Sequence, residues 1–156
     1  MKIRYILFFV CTILMSGCGD PLGSFQKGTI DYRELIIEIN RMSSEGTWEM
    51  ELLQDESIND TMLSEQFLIR GDQLTSYAVF IPVISISPCA IAIFEGEQTI
   101  IDEAITKHIE KLKQTTSVLS QHQILIDQAL YFQIGNYHIL IIGKDAQKIK
   151  TYMESL

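Results

Sequence analysis

Two apolar runs, Ala129–Ile134 and Tyr137–Ile142, are separated only by Gly135 and Asn136. A two-residue link of this kind joins adjacent antiparallel strands, and Gly-Asn suits the tight hairpin turns that need positive φ. The chain must therefore build an antiparallel sheet, and the rest of the sequence has to supply its neighbours. Tyr77–Ile86 (YAVFIPVISI) is rich in β-branched and aromatic residues and reads as a strand. Pro82 lies inside it and cannot donate to a ladder, so this strand is expected at an edge or with a bulge. Ser87-Pro88 marks a turn, Ala90–Phe94 reads as the next strand, and Glu95-Gly96-Glu97 closes it.

Helical periodicity fills the gaps. Ile101, Ile105, His108, Ile109 and Leu112 share one face of a helix expected over 99–114, and Glu103 and Lys107 form an i, i+4 pair on the other. Gly143 ends the last strand, Asp145 is placed to cap, and Ile149, Tyr152, Met153 and Leu156 give a final helix its inner face. Upstream, Asp31 and Glu34 form a box-like helix start, followed by Tyr32, Leu35, Ile36 and Ile39 on one face. Trp48, Met50 and Leu52 alternate with Glu49 and Glu51 in a short extended piece. Ile58, Met62, Leu63 and Phe67 suggest a weaker helix capped by Asp55 or Ser57, and residues 115–123 read as a polar loop. The expected fold is α+β: an antiparallel sheet of about four strands, ordered β-β-α-β-β-α as two hairpins, with helices on one face. One or two N-terminal helices precede it.

The N-terminus follows other rules. Lys2 and Arg4 precede Ile6–Met15, an almost wholly apolar run of ten residues, and then come Ser16, Gly17 and Cys18. This is the layout of a secretory signal. The run is about half the ~20 residues needed to cross a bilayer. Leu14-Met15-Ser16-Gly17-Cys18 resembles a bacterial lipobox. The resemblance implies that the Cys18 thiol takes a diacylglyceryl group and that the chain is cut between Gly17 and Cys18. Two acyl chains give stable anchoring where one does not. Residues 19–28 (GDPLGSFQKG) read as a flexible tether, with a root-mean-square reach of ~17 Å. The chain then divides into a signal peptide (1–17), a lipidated Cys with its tether (18–28) and one globular α+β domain of unknown function (29–156).

Cysteine usage agrees with this division. Cys11 leaves with the signal and Cys18 is consumed as a thioether, so Cys89 is the one thiol left and no internal disulfide is possible. Its neighbours Ala90–Phe94 favour a small buried hydrophobe over a reactive site. The full chain carries 12 basic and 20 acidic residues. Removing residues 1–17 takes away Lys2 and Arg4 and no acid, leaving a net charge of −10. That balance argues against a nucleic-acid partner. Residues 45–72 hold eight acids (Glu45, Glu49, Glu51, Asp55, Glu56, Asp60, Glu65, Asp72) and one base, Arg70. Their spacing does not match a calcium loop, so a solvated acidic face is expected.

A search for chemistry returns little. His108, His122 and His138 are not spaced as zinc ligands, and no nucleophile elbow, phosphate loop or dinucleotide fingerprint is present. His108 is expected at the edge of the core, His138 on the solvent side of its strand and His122 in a loop. No catalytic, metal or cofactor residues are assigned.

The segments CAIAIFEGEQTIIDEAITKHIEKLKQ and ALYFQIGNYHILIIGKDAQKIKTYMESL, placed after a lipobox, tether and opening helix, carry a resemblance. Over roughly residues 30–156 the chain resembles the bacterial lipoproteins of domain-of-unknown-function family 4358, common in Clostridia-like Gram-positive bacteria. The resemblance rests on the Ile91–Phe94 strand before a long charged helix and the Gly135-Asn136-Tyr137 hairpin before a Lys-rich final helix. It implies no activity. The expected protein is an extracytoplasmic lipoprotein, held to the cytoplasmic membrane through Cys18, that acts by binding. A protein with a basic surface is the expected partner. A small-ligand-binding lipoprotein and a cell-envelope enzyme without a recognisable motif are the alternatives.

Overall fold

Ala90–Phe94 is apolar at every position, and a strand that shows apolar side chains on both sides must be covered on both sides. The computed structural model, which describes residues 31–83, 86–115 and 120–156, shows this outcome. Four strands, β1 (Leu74–Phe80), β2 (Ala90–Gly96), β3 (Leu130–Ile134) and β4 (Tyr137–Ile142), form one antiparallel sheet in the order β1-β2-β4-β3. Ile91 pairs with Ile141 and Ile93 with Ile139, and Gly135 turns the β3–β4 hairpin with φ +57°. The α+β class and the four antiparallel strands are as expected.

The helices, however, cover both faces of the sheet. Helices α1 (Tyr32–Ser44) and α5 (Ala146–Glu154) bury Leu35, Ile36, Ile39, Ile149 and Met153 against Ile91, Ile93, Ile139 and Ile141. Helices α2 (Asp60–Phe67) and α3 (Gln98–Thr115) bury Leu63, Phe67, Ile101 and Ile105 against Val79, Ala92, Phe94, Leu140 and Ile142. Burying one such side chain contributes about 1.5–3 kcal/mol, so an apolar second face left in water would be costly. A fifth helix, α4 (Ser120–Asp127), places His122 on a helix, where a loop was expected. No helix among the described residues is long and apolar enough to cross a membrane.

The chain reaches the second face by running along the edge of β1. Backbone bonds join Val83 N to Leu52 O, Gln54 N to Ile81 O and Ile58 N to Val79 O, and Val79 N donates to Ser57 Oγ. An open strand edge invites pairing with another chain, and this one is covered. Asn40 on α1 holds the covering segment with two bonds to Leu53, 2.8 and 2.9 Å long. β1 ends at Phe80, short of the expected Ile86, because Pro82 leaves the ladder and makes a lone bridge with Leu53.

Three caps differ in detail. Asp31 caps α1 as expected, accepting from Arg33 N and Glu34 N. Asn59, rather than Asp55 or Ser57, caps α2 through Met62 N. Asp145 precedes α5 at φ +56°, but its side chain caps nothing there. It accepts from Glu49 N and Lys148 instead, tying α5 to the piece after α1. These bonds, the one from Glu49 N foremost, hold its carboxyl below the usual range.

Candidate functional site

One end of the sheet gathers polar side chains from four separated stretches. The start of β1, the end of β2, the first residues of α3 and the β3–β4 hairpin enclose a cleft of about 600 Å³. Asp72, Glu95, Glu97, Gln98, Gln133 and His138 are among its walls, which include no Lys or Arg. Two of the carboxylates are already oriented. Arg70 pairs with Asp72 at 3.0 Å, and Ser76 Oγ donates to Glu95 at 2.9 Å across the β1–β2 ladder.

His138 forms the inner wall. It is buried, which corrects the expected solvent-side placement, because α3 covers the face that it shares with Leu140 and Ile142. Its Nδ1 lies 2.8 Å from Tyr131 Oη, and Tyr131 Oη lies 2.5 Å from Asp102 Oδ1 on α3. A carboxylate only accepts, so the Tyr131 proton points to Asp102 and the hydroxyl oxygen accepts from His138 Nδ1–H. That order assigns the Nδ1–H tautomer to His138, in which Nε2 is the acceptor. Burial, and next the Asp102 carboxylate, push the Tyr131 hydroxyl well above its usual range, so it stays protonated.

The other buried histidine has a different duty. Helix α2 ends with carbonyls that have no partner inside the helix. His108 Nδ1 donates to Gln66 O at 2.9 Å and Lys111 Nζ to Glu65 O at 2.6 Å, so α3 supplies the missing donors. The ring stacks on Phe67 with centroids 3.9 Å apart. Burial lowers its pKa, which keeps it neutral. His108 was expected at the core edge and lies there.

The acids of residues 45–72 are all exposed, as expected, but they do not form one face. Glu45 pairs with Arg41 on the α1 side, Glu49 with Lys144, Asp60 with Tyr77 and Asp72 with Arg70. The Tyr77 hydroxyl is pushed up to about 12 by burial and by Asp60. Cys89 is buried, and burial pushes its thiol pKa up, in keeping with the unreactive reading. Gly17 and Cys18, the cleavage and lipidation residues, lie outside the described residues. Among the described residues no group of three or more metal-binding side chains occurs.

Comparison with protein-family models, with curated proteins and with solved structures returned no match. The site therefore rests on its own geometry. Sequence reasoning missed Tyr131 and Asp102, which lie 29 residues apart and meet only through the fold. One signal was present: Tyr131 and Gln133 alternate with Leu130, Phe132 and Ile134, so the even and odd positions of β3 differ in character.

Proposed function

We propose that this chain is an envelope lipoprotein, anchored to the cytoplasmic membrane through a diacylglyceryl group on Cys18, whose α+β domain binds a cationic partner at the acidic cleft. The observation that carries the reading is the composition of the cleft wall: Glu95 and Glu97, Asp72 already paired with Arg70, neutral amides and a histidine, with no Lys or Arg in the wall itself. A basic side chain from a partner protein fits that wall, and its pairing would weaken as salt screens it. The lipobox-like Leu14–Cys18 supports the anchor but suggests no activity. The reading is one of binding, because His138 is engaged by a protonated tyrosine rather than by a nucleophile.

A second reading is favoured by size. A cleft of about 600 Å³ falls within the ~300–1,000 Å³ of small-molecule sites. A compact protonated amine could occupy it in place of a side chain.

Two measurements test the proposal. Cys18→Ala should abolish incorporation of labelled fatty acid into the protein and leave the precursor uncut between Gly17 and Cys18. If the variant takes up label like the parent, the anchor is wrong. An oligolysine peptide should shift the amide resonances of residues 95–98 and 133–138 at low salt. Glu95→Gln with Glu97→Gln should weaken that binding at least tenfold. Binding that is unchanged in the double variant would place the partner elsewhere.

A further inference from the structure

The two edges of the sheet differ. Residues 52–58 bond along the outer edge of β1. The opposite edge is β3, and no strand or loop among the described residues flanks it. We infer that this open edge is a self-association surface, on which a second copy of the chain pairs its own β3 antiparallel about a two-fold axis at Phe132.

The backbone gives the first support. Ile134 and Tyr137 flank the two-residue turn, so they form the hydrogen-bonded pair that closes the hairpin. Bonded and non-bonded pairs alternate along an antiparallel ladder. Leu130, Phe132 and Ile134 therefore turn their N–H and C=O groups toward β4, and Tyr131 and Gln133 turn theirs outward. No group among the described residues bonds to those outward backbone atoms. They lie on either side of Phe132, so a two-fold axis there lets Tyr131 of each copy exchange both bonds with Gln133 of the other.

The side chains give the second. This register sets Phe132 opposite Phe132, Leu130 opposite Ile134 and Tyr131 opposite Gln133. The pattern reads alike from either end, as an isologous contact requires. Leu130, Phe132 and Ile134 are only partly buried in the single chain, and cross-strand apolar pairs are a main source of sheet stability.

Charge selects the place. The chain is strongly acidic, which opposes contact between copies over most of its surface. β3 carries no charged residue, no proline and no bulge, the usual guards of an exposed edge. Beside it, Lys150 lies 5.1 Å from the centre of the Phe132 ring and pairs with Glu154 at 3.6 Å, so the neighbouring charge is already balanced. Pairing joins two four-stranded sheets into one continuous sheet.

The test uses the full chain with Cys11 and Cys18 replaced by Ser, purified in mild detergent. Analytical ultracentrifugation should show reversible dimers as concentration rises. Gln133→Pro removes an outward N–H and no bond within the sheet. It should weaken dimerisation at least tenfold with an unchanged far-ultraviolet dichroism spectrum. In a glutathione redox buffer, Phe132→Cys should form a disulfide-linked dimer. Tyr131→Cys and Gln133→Cys should each crosslink at least fivefold less alone than when mixed. A chain that stays monomeric at the concentrations of an NMR sample overturns the inference and leaves β3 to a foreign strand or to water. Undiminished dimerisation by folded Gln133→Pro overturns it too, as does a Gln133→Cys crosslink as efficient alone as that of Phe132→Cys.

Discussion

The two ends of α3 each bury a histidine on the same face of the sheet, and they treat it in opposite ways. At the cleft end, His138 belongs to a chain of hydrogen bonds that runs through Tyr131 to Asp102 at the surface. At the other end, His108 is flanked by Phe67, serves one carbonyl of α2 and leaves its second nitrogen unpaired. The comparison shows that burial alone does not define a histidine's role. One ring is part of a satisfied polar wall, while the other was recruited to finish a helix and carries a spare donor atom as a by-product.

The contrast can be broken most forcefully at Phe67, which stacks on His108 and meets Phe94 edge-on at 5.4 Å. Phe67→Ala should cost about 3–5 kcal/mol in urea unfolding. If it costs less than any change at the cleft end, the apolar end is not the stabilising one. Tyr131→Phe is next. It leaves His138 Nδ1 buried without its partner and should cost about 1–3 kcal/mol by the same measurement.

Acid sharpens the contrast further. An unfolded histidine titrates near ~6.5, and burial holds folded His108 below its ordinary value. As pH falls below ~6.5, the unfolded chain takes up a proton that the folded chain refuses, so stability declines until the folded pKa is passed. His108→Gln should remove this contribution, and the parent should lose stability relative to it by up to about 1.4 kcal/mol per pH unit. Parallel stability curves for the two proteins below pH 6.5 would contradict the assignment. The smallest effect belongs to the solvent side of α3. Glu103 and Lys107 pair there at 2.6 Å with both side chains exposed, and Glu103→Ala should leave the urea midpoint almost unchanged.

Much of this arrangement was legible in the sequence, and the reasons differ by element. The β3–β4 hairpin and α3 follow from short-range signals: a two-residue turn and an unbroken helical stripe. The second helical layer is written in the continuous apolar runs of β2 and β4, which present apolar side chains to both faces of the sheet. His138 is buried for the same reason, since positions 138, 140 and 142 share the face that α3 covers. The Tyr131–Asp102 contact and the His108–Gln66 bond join residues 29 and 42 positions apart. No local pattern encodes such meetings, since they depend on how α3 lies across the sheet.

Trp48 is the only tryptophan in the chain. Its indole is 4% exposed, donates to Ile39 O at 3.0 Å and meets Tyr152 edge-on, all within the α1–α5 layer. Its fluorescence therefore reports on one side of the sheet, whereas both histidines lie on the other. A ligand entering at either end of α3 should leave tryptophan emission almost unchanged while shifting resonances of the α3 layer. Denaturation followed by emission and by far-ultraviolet dichroism should coincide if the two layers melt together. A gap between the two midpoints would mean that the layers separate in succession.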